Sequence, residues 1–326
     1  MINYTIKRRC EISDKLELST AEILTAMNIN NGQLKVELTT KLEEILQYVR
    51  CQSSKEKTDR HGIKQKHPTQ LNKLGESIFT IHHQIDLTSE VNGGFVVSNM
   101  VMMDDGRLVM CFPIQHRLLI CNTDGSQVDS LPVQSFPLYV TAVNNSTVAV
   151  TLAGSKCIEM YDINNKFRLK SIAVPEMMCK SGITTINNKL VVGGFEELLI
   201  IDHQIEEVVQ TLTTECHPYR LHGSGDRIFY WDLNNNIFWY SYTDDTQNSL
   251  TLQSPPVNMT TILDGSLYVV CKDGSVQHVS SGGKHFKPVK ILQTTPECYE
   301  IHYNLKQRKL LTIHNKKKHV TVYTEI

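Results

Sequence analysis

His314 and His319 stand five residues apart in HNKKKH, and imidazole nitrogens so close in sequence raise metal ligation first. A metal would need at least two further ligands. None can be named from the sequence, so a solvated loop between two strands is the stronger reading. His82 and His83 are adjacent, and on a regular strand adjacent side chains point to opposite faces, which excludes joint ligation from that strand. Ser224 in HGSGD has a glycine on each side, the setting of a nucleophile on a tight turn, but a hairpin turn accounts for both glycines. SGGK at 281–284 is faintly like a phosphate loop, yet no helix follows whose N-terminus would hold an anion. The chain has no GxSxG, Walker A, GxGxxG or HExxH pattern. These readings predict a protein with no catalytic residues, metal or cofactor.

Two other groups fit contact better than chemistry. One is the basic run Lys306, Arg308, Lys309, Lys316, Lys317, Lys318 and His319, which a hairpin would carry to the two ends of one unit. It suits RNA phosphates or an acidic partner, against the plainer reading of solubilising charge. The other is the aromatic pair of segments Phe229, Tyr230, Trp231 and Phe238, Trp239, Tyr240, with Tyr242 close by, which holds both tryptophans of the chain. Alternation along a strand sends half of such side chains out of a core or to its rim, where aromatics anchor protein interfaces. Core packing is the competing reading.

Six related segments set the elements that carry these residues: MVMMDDGRLVM, VTAVNNSTVAV, ITTINNKLVV, RLHGSGDRIFYW, TTILDGSLYVV and IHYNLKQRKLLTI. Each joins two apolar stretches through Asn, Asp or Gly, the residues that tolerate the positive φ of tight turns, so each reads as a hairpin. The apolar residue that opens the second strand falls at Leu108, Val148, Leu190, Ile228, Leu267 and Leu310, with steps of 40, 42, 38, 39 and 43. That period is the period of propeller blades. A third strand follows every hairpin and a more polar fourth follows the first five, but the chain stops at Ile326 after the third strand of the last unit. SIFTIHHQIDL at 77–87 precedes the first unit without a partner of its own, and it is expected to supply the missing outer strand and close the ring. The fold class is therefore all-β, a six-bladed β-propeller over 77–326, with a β-sandwich as the competitor. An enzyme on such a scaffold needs polar residues facing the central channel in several blades. First strands such as NMVMM and VTAV offer few.

Ahead of the propeller, 1–51 reads as a short α-helical segment and 52–76 as a polar linker. Leu38, Leu42, Ile45 and Val49 share one helix face, which is either a short coiled coil that makes a homo-oligomer or an amphipathic helix packed on another surface. Residues 1–76 carry 13 Lys/Arg against 10 Asp/Glu and the remainder 20 against 24, so neither part has the strong basic excess of a dedicated nucleic-acid binder. The nine cysteines are scattered without a CxxC pair, and no apolar h-region or membrane-length apolar run is present, which predicts a cytoplasmic protein with reduced thiols and no membrane contact.

A helical segment, a polar linker and blades worded like MVMMDDGRLVMCFPIQHRLLICNTDG resemble the C-terminal part of tripartite-motif proteins, in particular invertebrate, mollusc-like members with an NHL-like propeller. The resemblance covers about 30–326. It implies a protein-interaction or substrate-recognition module, with RNA binding by the NHL-like propeller as the alternative. The family's RING and B-box zinc modules have no counterpart here, since residues 1–76 hold only Cys10, Cys51, His61 and His67. Ubiquitin-ligase activity is not carried over. The short helix leaves two expectations open, a complete protein and a piece of a tripartite-motif protein.

Overall fold

Apolar strands joined by turn-forming residues fold into six four-stranded antiparallel sheets arranged as the blades of a propeller. The computed structural model describes residues 78–90, 97–231, 234–289, 298–314 and 318–325. Helix residues Leu38, Leu42, Ile45 and Val49, and the segment and linker at 1–76, lie outside the described residues. Among those described, only two short 3-10 turns, Thr88–Glu90 and Pro113–Gln115, interrupt the strands.

Blade one is β2 (Met100–Met102), β3 (Leu108–Phe112), β4 (Arg117–Cys121) and β5 (Asp129–Pro132). Blade two is β6 (Pro137–Ala142), β7 (Thr147–Leu152), β8 (Cys157–Asp162) and β9 (Phe167–Ala173). Blade three is β10 (Ile183–Ile186), β11 (Lys189–Gly193), β12 (Glu197–Asp202) and β13 (Glu207–Thr213). Blade four is β14 (Arg220–Ser224), β15 (Arg227–Trp231), β16 (Asn236–Ser241) and β17 (Thr246–Thr251). Blade five is β18 (Pro256–Thr261), β19 (Leu267–Cys271), β20 (Val276–Val279) and β21 (Phe286–Pro288). Blade six takes its inner three strands from the C-terminus, β22 (Cys298–Asn304), β23 (Lys309–His314) and β24 (His319–Glu325), and its outer strand from β1 (Phe79–Asp86), in the order β1-β24-β23-β22.

The turns form for the chemical reasons visible in their residues. Asn187 and Asn188 sit at φ 46° and 58°, the pair of left-handed positions that a two-residue hairpin demands. In other hairpins a carboxylate or amide folds back on the chain: Asp105 Oδ1 accepts from the Arg107 N–H at 3.0 Å, and Asn144 Oδ1 from the Ser146 and Thr147 N–H groups at 2.9 Å each.

Second and third strands are buried on both faces, so alternation along them feeds two different interfaces. Leu108 and Met110 pack towards blade six, while Val109 and Cys111 pack towards blade two. One apolar cluster fills each of the six gaps between neighbouring blades. β1 serves two gaps at once: Phe79 packs against blade five, edge-on to Tyr268 with ring centroids 5.8 Å apart, whereas Ile85 packs against blade one. Positions 79 and 85 have the same parity and would face the same way on a regular strand. A bulge at His82, between the pairs Ile81–Tyr323 and His83–Val322, reverses the alternation.

The same bulge corrects the expectation for His82 and His83. Their rings do not diverge but meet edge to face, with centroids 4.8 Å apart, because regular alternation fails where one residue is inserted.

Candidate functional site

The first strands of the six blades line the central channel, and their register shows which residues share a level. The partners of the residues opening each second strand are Met102, Ala142, Thr185, Gly223, Thr261 and Tyr303. One residue earlier stand Val101, Thr141, Thr184, His222, Thr260 and His302. Three earlier stand Asn99, Tyr139, Gly182, Arg220, Asn258 and Glu300. Both levels are mostly polar, contrary to the expectation of few inward polar residues. The signal is a period of two in EIH, RLH and NMT, which the apolar wording of NMVMM and VTAV concealed.

Much of this polarity ties neighbouring blades together. First strands splay apart around the channel, so their inner edges lack a partner strand and side chains complete the hydrogen bonds. Asn99 Oδ1 accepts from the Val140 N–H at 2.9 Å, Thr184 Oγ1 from Gly223 at 2.8 Å, His222 Nε2 from Thr261 at 3.0 Å and Thr260 Oγ1 from Tyr303 at 2.8 Å. Asn304 Nδ2 completes the circuit from blade six to blade one by donating to the Met102 carbonyl at 3.0 Å.

Glu300 is the centre of the deeper level. Its carboxylate accepts from Asn99 Nδ2 at 2.6 Å and from the Arg220 guanidinium at 3.2 Å, and Asn258 bonds it as well. Burial pushes its carboxyl up to about 7, against the pull of Arg220 and the two amides. The guanidinium also lies over the Tyr139 ring, 5.5 Å from its centroid. Blades one, two, four, five and six thus meet in one cluster. On the shallower level burial holds both imidazoles neutral, His222 at about 3 and His302 at about 4. Above the Glu300 cluster the channel widens into a cavity of about 340 Å³ that reaches the hairpins joining first and second strands, at Asp104, Ser224 and Leu305.

The residues singled out in the sequence lie elsewhere. Phe229, Tyr230, Trp231, Phe238, Trp239 and Tyr240 are all buried: Tyr230 and Phe238 in the gap shared with blade three, Phe229, Trp231 and Trp239 in the gap shared with blade five, and Tyr240 with its hydroxyl donating to Asp245 at 2.7 Å. Burial favours core packing over the partner surface: both faces of these central strands are covered by neighbouring blades, so alternation leads to a second core and not to solvent. Trp239 also explains SGGK, because a Cβ on Gly283 would fall 2.4 Å from its ring and the φ of Gly283 is +69°. The segment is a turn shaped by packing.

The basic run is split between the two ends of blade six. Lys306 and Arg308 lie on the β22–β23 hairpin, Lys306 within 3.9 Å of Asp104 and Arg308 paired with Glu325 at 2.9 Å. Lys318 and His319 lie at the opposite end, with His319 Nε2 3.3 Å from Gln84, while Lys316 and Lys317 are outside the described residues. His314 and His319 face each other in the β23–β24 register. Among the described residues no group of three or more His, Cys, Asp or Glu side chains is placed to hold a metal. No described helix is long and apolar enough to cross a membrane, and the cysteines at 111, 121, 157, 179, 216 and 271 are free thiols.

A second surface went unnoticed in the sequence. At the end of the propeller opposite the cavity mouth, Phe195 on the β11–β12 hairpin is 70% exposed and borders a groove of about 410 Å³ with Met178, Cys179 and Tyr219. Its residues come from four separate loops, each too short to show an apolar pattern.

No family model matches the chain, and no curated protein sequence matches it. Solved structures do. Virginiamycin B lyase from Staphylococcus aureus superposes with a TM-score of 0.58 at 13% identity, covering 76% of this chain and 100% of that one. U3-55K gives a TM-score of 0.57 at 12% identity over 70% of this chain and 76% of its own. BBS1N, solved in complex with ARL6DN, gives 0.55 at 15% identity over 77% and 98%. At such identities the likeness shows the fold, a six-bladed β-propeller.

Proposed function

We propose that this chain is a protein-recognition module, a scaffold or substrate-binding propeller of the tripartite-motif type with NHL-like blades, and without catalytic residues of its own. The observation that supports this most is the Phe195 groove. A phenylalanine 70% exposed costs solvation free energy unless something covers it, and Met178 and Tyr219 extend the apolar area around it. Lys156 and Lys180 flank the groove beside a single carboxylate, Glu176, which suits a peptide with an apolar anchor and acidic neighbours. BBS1N, similar in fold, was solved with a protein partner. The exposed basic residues of blade six favour RNA less, since Arg308 is engaged by Glu325.

The test is affinity capture with the full chain and with Phe195→Glu, followed by titration of the captured protein against both purified forms. An anchor of this kind is worth about 2 kcal/mol or more, so the variant should bind at least roughly 30-fold more weakly with an unchanged far-UV spectrum. Equal affinity of the two forms sinks the groove reading. Binding of a random RNA pool at physiological salt, abolished by Lys316→Ala, Lys317→Ala and Lys318→Ala together, replaces protein recognition with the NHL-like RNA function. Sedimentation with and without residues 1–76 tests oligomerisation through Leu38, Leu42, Ile45 and Val49.

A further inference from the structure

The central cavity is at the end opposite the Phe195 groove, and its walls have a chemistry that inter-blade bonding alone does not require. Its volume of about 340 Å³ lies near the lower limit of small-molecule sites, roughly 300–1,000 Å³. The floor carries charge, but that charge is internally matched: Glu300 faces Arg220 at 3.2 Å and takes a further hydrogen bond from Asn99. Both imidazoles on the walls are neutral. The other carboxylate of the lining, Asp104 at the mouth, lies 3.9 Å from Lys306 and accepts from Asn304 at 3.4 Å, so an ion moving past it into the cavity would lose its hydration without meeting an unmatched opposite charge, a strongly unfavourable exchange.

Uncharged hydrogen-bonding groups meet a different surface. Thr141, Thr184, Thr185, Ser224 and Asn304 bring hydroxyls and an amide to the walls from four of the six blades, beside the apolar Val101 and Ala142. The Thr184 oxygen accepts a backbone N–H, which leaves its own hydroxyl hydrogen to donate. His302 is the most telling residue. A hydrogen bond with the Met102 backbone favours its protonated form, so the ring donates there, and Nε2 is a buried acceptor with no partner among the described residues. Of the buried side-chain atoms in that condition, only this one belongs to a residue lining the cavity. Native interiors rarely leave such an atom unmet, because it forfeits a hydrogen bond to water that folding does not replace.

We infer that the central cavity binds a small uncharged polyhydroxylated molecule of monosaccharide size, with its hydroxyls bonded to Thr141 and Thr184 and a further one donating to His302 Nε2, which the wall covers until the ring turns toward the ligand. No covalent step is involved. The inference is independent of the protein-recognition reading, since the two surfaces share no residue.

The experiment uses the full chain with a panel of neutral probes, glucose, galactose, ribose and myo-inositol, beside the charged analogues glucuronate and glucosamine. Saturation-transfer NMR reports contact, and calorimetry reports affinity. At least one neutral probe is expected to bind in the millimolar range or better, at least tenfold more tightly than either charged analogue. His302→Leu removes the acceptor while nearly preserving volume, and it should abolish that binding. Thr141→Val is the second variant, because it removes one hydroxyl without touching a bond that holds two blades together, and it should weaken binding several-fold. Three results overturn the inference: no neutral probe binds at millimolar concentration, a charged analogue binds best, or Thr141→Val and a folded His302→Leu bind as tightly as the unmodified chain.

Discussion

The gaps between the blades and the channel at their centre are built from the same strands by opposite means. Each gap is filled by aliphatic and aromatic side chains whose identity matters mainly through volume, as where Phe79, Tyr268 and Tyr303 pack edge-on with centroids 5.4 and 5.8 Å apart. Along the channel directional bonds carry much of the contact: Glu300 has three partners, and His222, Thr184 and Thr260 each hold the backbone of the next blade. The difference teaches which part of a propeller carries stability and which part carries individuality. Apolar gaps are interchangeable among propellers, whereas a ring of directional bonds is specific to its residues.

The contrast is broken most severely at the closing strand. Phe79→Ala empties a site that is only 1% exposed between blades five and six. It should cost about 3–5 kcal/mol, read as a shift of the urea midpoint at unchanged slope. A loss below about 1 kcal/mol would mean that β1 adds pairing but little packing.

Glu300→Gln tests the channel. Measured at mildly alkaline pH it should cost about 1.5–3 kcal/mol, because Arg220 and two amides lose a charged acceptor. Its pH profile sharpens the comparison further. With carboxyl affinity raised to about 7 in the folded chain, Glu300 favours the fold in acid, and this contribution declines as pH rises from the free value near 4.3. His222 and His302, held at about 3 and about 4, act in the opposite sense: they favour the fold above about 6.5, and the contribution is lost as pH falls towards those values. The two effects oppose each other between about pH 4.5 and 6.5. In Glu300→Gln the melting temperature should therefore climb more steeply with pH across that window than in the unmodified chain. Parallel profiles would show that Glu300 titrates as a free carboxylate.

The smallest effect is expected at the outer surface. Arg308→Ala removes an exposed guanidinium from Glu325 and should change stability by no more than about 1 kcal/mol, less in high salt. A larger, salt-independent loss would make this pair part of the blade-six closure.

The amino-acid sequence by itself determined the hairpins, their period and the blade number. Those signals are local: turn residues such as Asn187 and Asn188 need only their own backbone, and apolar strands of the second and third kind announce burial on both faces. The aromatic segments of blade four were legible as strands, but the choice between core packing and a partner surface was not, since alternation cannot say whether a second sheet covers the far face. Tertiary structure alone decided the rest. Glu300 meets Asn99 and Arg220 across 201 and 80 residues of chain, so no spacing rule brings them together. The bulge at His82 reverses a whole strand's facing through one inserted residue. It is selected by the need for β1 to fill the gaps on both sides of blade six.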